Sequence, residues 1–247
     1  MGNVTVQFLG SGDAFGSGGR HHTCFFVDSR PARFLIDCGP SSLVAMKAFG
    51  VDPSLVDIVL VTHLHGDHFG GLPFIIRETQ MVSRRTRPLV IAGPVGLQER
   101  MRDVMEAFFP GSTRVEQTFR LEFMELRDEQ PNTVGPLLVT PYRVVHTSGT
   151  EPRALRVECD GKVISYSGDT EWTPALIAVA EGADLFICEA YTFEKKVKNH
   201  MDYRTLLEHR GELGCRRLIL THMSDDMLKR LHTIDSESAE DGKRIVI

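Results

Sequence analysis

Residues 58 to 71 read Ile58-Val59-Leu60-Val61-Thr62-His63-Leu64-His65-Gly66-Asp67-His68-Phe69-Gly70-Gly71, and the reading of that run decides the fold. Four apolar, mostly β-branched residues lead straight into three histidines and an aspartate packed into six positions. A continuous apolar run marks a strand buried on both faces, and such a strand holds the residues at its end rigidly. Imidazole nitrogen and carboxylate oxygen together suit zinc, manganese or iron. Donors two apart at a strand end point the same way, so His63 and His65 can hold one ion. Asp67 and His68, beyond the turn at Gly66, reach a second. The spacing predicts two adjacent metals.

From Thr62 to His68 the chain matches, at every specified position, the T-H-x-H-x-D-H hallmark of the metallo-β-lactamase superfamily, which it resembles over nearly its whole length. The resemblance implies an α/β chain folded as a four-layer αββα sandwich, with strand ends from two sheets meeting at one edge. It places the ligands of a first metal at His63, His65 and His146, those of a second at Asp67, His68 and His222, and a bridging carboxylate at Asp169. These blocks are separated by 77, 22 and 52 residues, which fits a compact member. Asp37, followed by Cys38-Gly39 in a D-x-G context, is implied to support the ligands by hydrogen bonding. The implied cofactors are two divalent metal ions. Zinc is the first choice, and manganese or iron would be served by the same donors.

The later ligands also stand where the residue pattern puts strand ends. A strand over Leu137 to Val145 delivers His146, which by itself reads more readily as a structural histidine and is made a ligand only by the resemblance. Lys162 to Ser167 leads to Gly168-Asp169, where glycine permits close approach and one carboxylate can face two cations. Arg216 to Thr221 delivers His222. Asp184 to Cys188 ends in Glu189-Ala190, and Asn199-His200-Met201 precedes a helix to about Leu213. Alone, His200 reads as a helix-end histidine. RNase Z-like and phosphodiesterase members carry a matching acid and histidine, so the resemblance implies that Glu189 holds His200 against a scissile phosphate. The same resemblance gives Asp67 a second task, orienting or deprotonating water.

The opening Phe8-Leu9-Gly10-Ser11-Gly12 resembles the F-L-G-T/S-G start of that branch. The glycine-rich run to Gly19 is not G-x-G-x-x-G and no G-K-[ST] follows, so a nucleotide-cradling loop is not expected. It reads as a hairpin loop or, by the resemblance, as backbone N–H groups facing an anionic substrate. His21 and His22 stay outside the metal set. Helices are expected over Ser41 to Phe49, Leu72 to Ser83, Gly93 to Phe109, Thr173 to Ala180 and Ser224 to Leu231. In the third, Leu97, Met101, Val104, Met105 and Phe108 form a stripe for the core. Arg77 with Arg84, Arg85 and Arg87 makes the one local basic cluster, either a solvated helix end or a phosphate-recruiting patch.

At 247 residues, without a linker or composition break, residues 1 to 247 are expected to form a single domain. A net charge of −5 argues against a surface built mainly for nucleic acid. A strand begins within Met1 to Thr5, no run approaches about 18 apolar residues, and a cytoplasmic location away from membranes is expected. Five widely spaced cysteines suggest reduced thiols. A homodimer is expected by analogy.

The functional expectation is a metal-dependent hydrolase, a phosphodiesterase acting on small or nucleotide phosphodiesters through a hydroxide generated at the dinuclear centre. In the bacterial nuclease a tRNA-gripping arm lies between the third histidine and the bridging aspartate, where this chain has only 22 residues. The nuclease ending H-F-S-x-R becomes His222-Met223-Ser224-Asp225-Asp226, which replaces a phosphate-binding arginine by acid. Folded tRNA is therefore not the expected partner. Lactone or thioester hydrolysis at the same metals is the alternative, and tRNA 3′ processing or a non-catalytic or redox role ranks below it.

Overall fold

The computed structural model describes residues 3–247; Met1 and Gly2, at the start of the expected amino-terminal strand, lie outside the described residues. The first part of the chain forms strands β1 (Thr5–Gly10), β2 (Cys24–Asp28), β3 (Arg33–Ile36), β4 (Ile58–Leu60), β5 (Leu89–Gly93) and β6 (Leu121–Glu125). The second forms β7 (Asn132–Val134), β8 (Leu137–Arg143), β9 (Arg153–Cys159), β10 (Lys162–Tyr166), β11 (Leu185–Glu189) and β12 (Leu218–Thr221), and β13 (Arg244–Val246) returns to the first sheet. Among the described residues the two sheets run β13-β1-β2-β3-β4-β5-β6 and β12-β11-β10-β9-β8-β7. Strands β3 to β6 are mutually parallel, as are β10, β11 and β12. Loops at the carboxyl ends of parallel strands are the usual place for a site, and both sheets supply such ends here.

Period-two alternation sorts the side chains into layers. Phe8, Phe25, Val27, Phe34, Ile36, Leu185 and Ile187 point between the sheets and meet Leu155, Val157 and Tyr166. Their neighbours Leu9, Phe26 and Leu35 point outward from the first sheet, against α1 (Ser42–Ala48), α3 (Leu72–Met81) and α4 (Leu97–Phe108). The short α2 (Gly66–Phe69) carries Asp67 and His68. Phe186, Cys188 and Leu220 point outward from the second sheet, against α5 (Ala175–Ala180) and α6 (Tyr203–Glu208). Burying each large apolar side chain contributes about 1.5–3 kcal/mol, so both faces of each sheet are committed. This is the expected αββα arrangement.

Several expected boundaries move. Helix α4 begins at Leu97 rather than Gly93, because β5 runs through Gly93 and Gly96 takes a left-handed turn at φ 83 before it. Phe108, expected in the core, is 51% exposed. The helix after Ser224, α7 (Asp225–Leu228), is one turn long rather than reaching Leu231. Strand β8 stops at Arg143, so His146 sits three residues past it in a loop. The Asp160-Gly161 hairpin forms as expected, both residues at positive φ of 48 and 76. Among the described residues, no helix is long and apolar enough to cross a membrane. All five cysteines are free thiols, and burial pushes Cys24 up to about 12.

Candidate metal centre

All seven histidine and aspartate positions expected as ligands are brought to one edge of the two sheets. His63, His65 and His146 place donor atoms within 4.8 Å of one another, and so do Asp67, His68, Asp169 and His222. Asp169 lies between the groups. Its Oδ2 is 3.9 Å from His63 Nε2, 3.9 Å from His146 Nε2 and 3.3 Å from His222 Nε2, while its Oδ1 is 3.3 Å from His68 Nε2.

The sequence enforces this convergence through close backbone approach. Gly39 runs against the Asp67 carbonyl, and a Cβ there would meet that oxygen at 2.3 Å. Cys38 N–H donates to the His68 carbonyl at 2.6 Å and Gly71 N–H to the Cys38 carbonyl at 2.8 Å, tying the loop after β3 to the motif after β4. Gly168 stands at φ 61, where its Cβ would lie 2.6 Å from the Arg153 carbonyl. Across the sheets, His222 N–H donates to the Ser11 carbonyl at 3.1 Å and Arg153 N–H to the Thr62 carbonyl at 3.2 Å.

Asp37 organises the motif, as the D-x-G context implied. It is fully buried at φ 56, just past β3. It accepts hydrogen bonds from Thr62 N–H (2.8 Å), Thr62 Oγ1–H (2.8 Å) and His68 Nδ1–H (2.7 Å). The last bond turns His68 Nε2 toward Asp67 and Asp169 with its lone pair free. Thr23 Oγ1 lies 3.2 Å from His222 Nδ1, and the Asn199 carbonyl accepts from His146 Nδ1 at 2.8 Å. In both cases Nε2 is again the nitrogen left for the centre. His146 Nε2 and His65 Nδ1 face each other at 3.1 Å.

The electrostatics suit a cationic occupant. Burial lowers His63 far below the ordinary histidine value, with His68 adding to the effect, and burial also lowers His65 and His146. Neutral imidazoles are the form that binds metal. Burial alone would raise Asp67 and Asp169. For Asp67 the attraction of His68 and His222 outweighs it, for Asp169 that of His222 and His68, and both stay below the usual carboxylate range. His68 is raised despite burial because Asp169, Asp67 and Asp37 surround it. His63 Nε2, His68 Nε2 and Asp169 Oδ1 are buried without any hydrogen-bond partner. Orphaned buried polar atoms are costly, and three of them aimed at one space are satisfied together by cations. The donor set thus fits two divalent ions.

Glu189 and His200 also meet. His200 Nδ1 lies 2.9 Å from Glu189 Oε2, and Glu189 Oε1 accepts from Thr170 N–H, one residue past Asp169. Burial raises Glu189, with Asp169 adding to it, and burial lowers His200, so the pair resists charge separation. His200 offers a ring nitrogen within 4.8 Å of donor atoms on His146 and Asp169, and Tyr191 stacks on its ring at 4.6 Å.

Two surface expectations change. In the glycine-rich loop several N–H groups are taken by internal carboxylates: those of Phe15 and Ser17 donate to the buried Asp13 carboxylate, that of Ser11 to Asp241 and that of Gly18 to Asp225. Arg84 to Arg87 is only in part the solvated end that the sequence offers, with Arg84 and Arg87 exposed. Arg85 is buried and donates to the carbonyls of Arg87, Ser54 and Pro88, while Arg87 pairs with Asp57. His22 is held by Ser41 and His21 packs on Phe49, and neither belongs to the grouped ligand atoms. The sequence reading missed Asn199, whose contribution is a backbone carbonyl, and Asp241, which orders the first loop from 230 residues away.

The sequence profile of the family described as "Anti-Pycsar protein Apyc1" matches residues 4–240. The chain belongs to the Anti-Pycsar protein Apyc1 family. This Apyc1-family chain is 29% identical over 267 residues to the Ribonuclease Z of Methanothermobacter thermautotrophicus, covering 90% of the chain and 87% of the relative. In fold it is similar to the metallo-beta-lactamase fold protein YhfI from Bacillus subtilis, with a TM-score of 0.77 and 22% identity over 100% of both chains. It is also similar to the short form of human tRNase Z, at a TM-score of 0.76 and 23% identity over 98% of each chain. Fold and donor set are those of a metallo-hydrolase of the metallo-β-lactamase superfamily.

Proposed function

We propose that the chain is a dinuclear metal-dependent phosphodiesterase acting on small or nucleotide phosphodiesters. The observation that carries this reading is the Glu189–His200 pair beside the ligand groups. It supplies a proton donor for a departing oxygen, which the metal ligands alone do not. In this reading His63, His65 and His146 hold one ion, Asp67, His68 and His222 the other, and Asp169 both. Bound divalent cations supply charge neutralisation for the phosphoryl oxygens and lower the pKa of water.

The chain's own residues do the rest. In this reading Asp67, whose carboxylate lies 3.1 Å from His68 Nε2, would orient the attacking water and accept its proton. As the water oxygen bonds to phosphorus, the ester P–O bond breaks and His200 gives its proton to the leaving oxygen. Glu189 holds the His200 ring in place through Nδ1, and the carboxyl proton that burial helps it keep passes to Nδ1 as Nε2 gives its hydrogen to the leaving oxygen. The family's description names its member as an anti-Pycsar protein, and we carry that role to this chain as the setting of the activity.

The test compares wild type with His200→Ala on bis(p-nitrophenyl) phosphate and on a lactone. We expect diester turnover that falls about 10²- to 10⁴-fold in the variant with metal content unchanged, the scale of a lost general acid. Turnover of the lactone alone, indifferent to His200, would replace this reading by carboxylic-ester hydrolysis.

A further inference from the structure

His200 is also one wall of a cavity of about 360 Å³ that contains none of the seven clustered ligand candidates. That volume lies in the range of small-molecule sites. Other walls are Glu171, Trp172, Val197 and Lys198. They hang on the metal centre itself. Glu171 follows Asp169 by two residues, and its N–H donates to the Val145 carbonyl at 3.0 Å. Its Oε1 accepts from Asn199 N–H at 2.6 Å, while the Asn199 carbonyl accepts from His146 Nδ1 at 2.8 Å. Asn199 adopts φ 70 to make both bonds, so the cavity's position relative to the ligands is fixed.

The aromatic wall is held as firmly. Trp172 is the chain's single tryptophan, and its indole stacks on the His209 ring at 3.9 Å and 7°. His209 Nδ1 in turn lies 2.6 Å from Glu212 Oε1. The polar walls keep free capacity. Glu171 Oε2 makes no hydrogen bond and Lys198 no ion pair among the described residues, so one acceptor and one cationic donor border the indole.

We propose that this cavity binds the heteroaromatic base of a nucleoside on the leaving-group arm of the substrate, with Trp172 as the stacking wall and Lys198 and Glu171 meeting the base edge. The inference rests on the diesterase reading. A diester whose phosphorus lies among the ligands and whose departing oxygen meets His200 sends its leaving alcohol past that ring, and the cavity is the space His200 borders. An indole beside one donor and one acceptor matches a flat ring with polar edges, whereas an aliphatic alcohol would use neither. Sequence-tolerant stacking then explains how one site could take more than one base.

The single tryptophan is its own reporter. Zinc-loaded protein is titrated with adenosine and uridine 5′-monophosphates, with ribose 5-phosphate and inorganic phosphate as base-free probes, while Trp172 emission is followed. The mononucleotides should quench it saturably at concentrations about tenfold or more below any effect of ribose 5-phosphate, the scale of one base stacked on one ring. As inhibitors of bis(p-nitrophenyl) phosphate turnover, they should weaken about tenfold in Trp172→Ala and recover in Trp172→Phe, with inhibition by inorganic phosphate unchanged. Equal quenching by ribose 5-phosphate, or nucleotide inhibition indifferent to Trp172→Ala, would overturn the proposal. Quenching needs no turnover, so a protein quenched by nucleotide but inert to diesters would retire the diesterase reading and leave the base site standing. An active enzyme without quenching would do the reverse.

Discussion

Asp37→Asn replaces one carboxylate oxygen by an NH₂ group of the same size, in a position with no room for rearrangement. The Asp37 oxygens accept from Thr62 N–H, Thr62 Oγ1–H and His68 Nδ1–H, all within 2.8 Å. An amide placed with its NH₂ toward Thr62 N–H would set donor against donor, so the carbonyl must take that side. The NH₂ then faces Thr62 Oγ1, which can turn to accept, and His68 Nδ1, which can accept only by giving up its proton. His68 is driven into the other tautomer, with hydrogen on Nε2, the nitrogen that lies 3.1 Å from Asp67 and 3.3 Å from Asp169. Ligation there requires a free lone pair. Loss of such a supporting carboxylate typically costs about 10- to 100-fold in metal affinity, or ~1.4–2.8 kcal/mol. Chelator competition with zinc should show one site weakened by that factor and the His63, His65 and His146 site retained, with the circular dichroism unchanged. Two zinc ions bound with wild-type affinity, or a loss confined to the other site, would refute the argument.

Gly168→Ala should destabilise the chain by about 2 kcal/mol or more, since φ 61 is left-handed and the new Cβ would press on the Arg153 carbonyl; an unshifted denaturation midpoint would count against it. Two Arg217 hydrogen bonds, at 2.8 and 2.7 Å, draw Glu237 down to about 2, with help from Lys243. A depressed carboxylate contributes stability that is present above its ordinary value of 4.5 and is lost as pH falls toward 2, so Glu237→Gln should flatten the fall in melting temperature across that window. Burial pushes Cys24 up to about 12 and Cys159 to about 11, so a disulfide reagent at about pH 8 should label at most Cys215 in native protein and all five cysteines after unfolding.

What the sequence discloses of the centre depends on how its parts are encoded. His63 to His68 is legible because the donors are consecutive and follow an apolar run. His146, Asp169 and His222 each stand just past a strand, so the resemblance could be carried to them one by one. Glu189 and His200 were legible only as a pair, and they meet at 2.9 Å. The Asn199 carbonyl was not legible, because any residue type carries one; its one trace is an asparagine at a position that turned out left-handed. Asp241 and Ser11 are distant in sequence, and nothing local announces their bond. Phe108 fits the helical period of the core stripe as well as Met105 does. Only the position of α4 on the sheet leaves one exposed and the other buried. The first loop left two readings open, a plain hairpin loop or N–H groups facing an anion, because the internal partner of two of those groups, Asp13, looks from sequence like any loop aspartate.

The most direct measurement is a metal titration of chelator-stripped protein with bis(p-nitrophenyl) phosphate as substrate, run beside Asp67→Ala and His200→Ala. The account predicts turnover that rises to a plateau at two equivalents of zinc or manganese and is lost in both variants, with His200→Ala still binding two ions. Protein that carries two ions and leaves the diester untouched would contradict it.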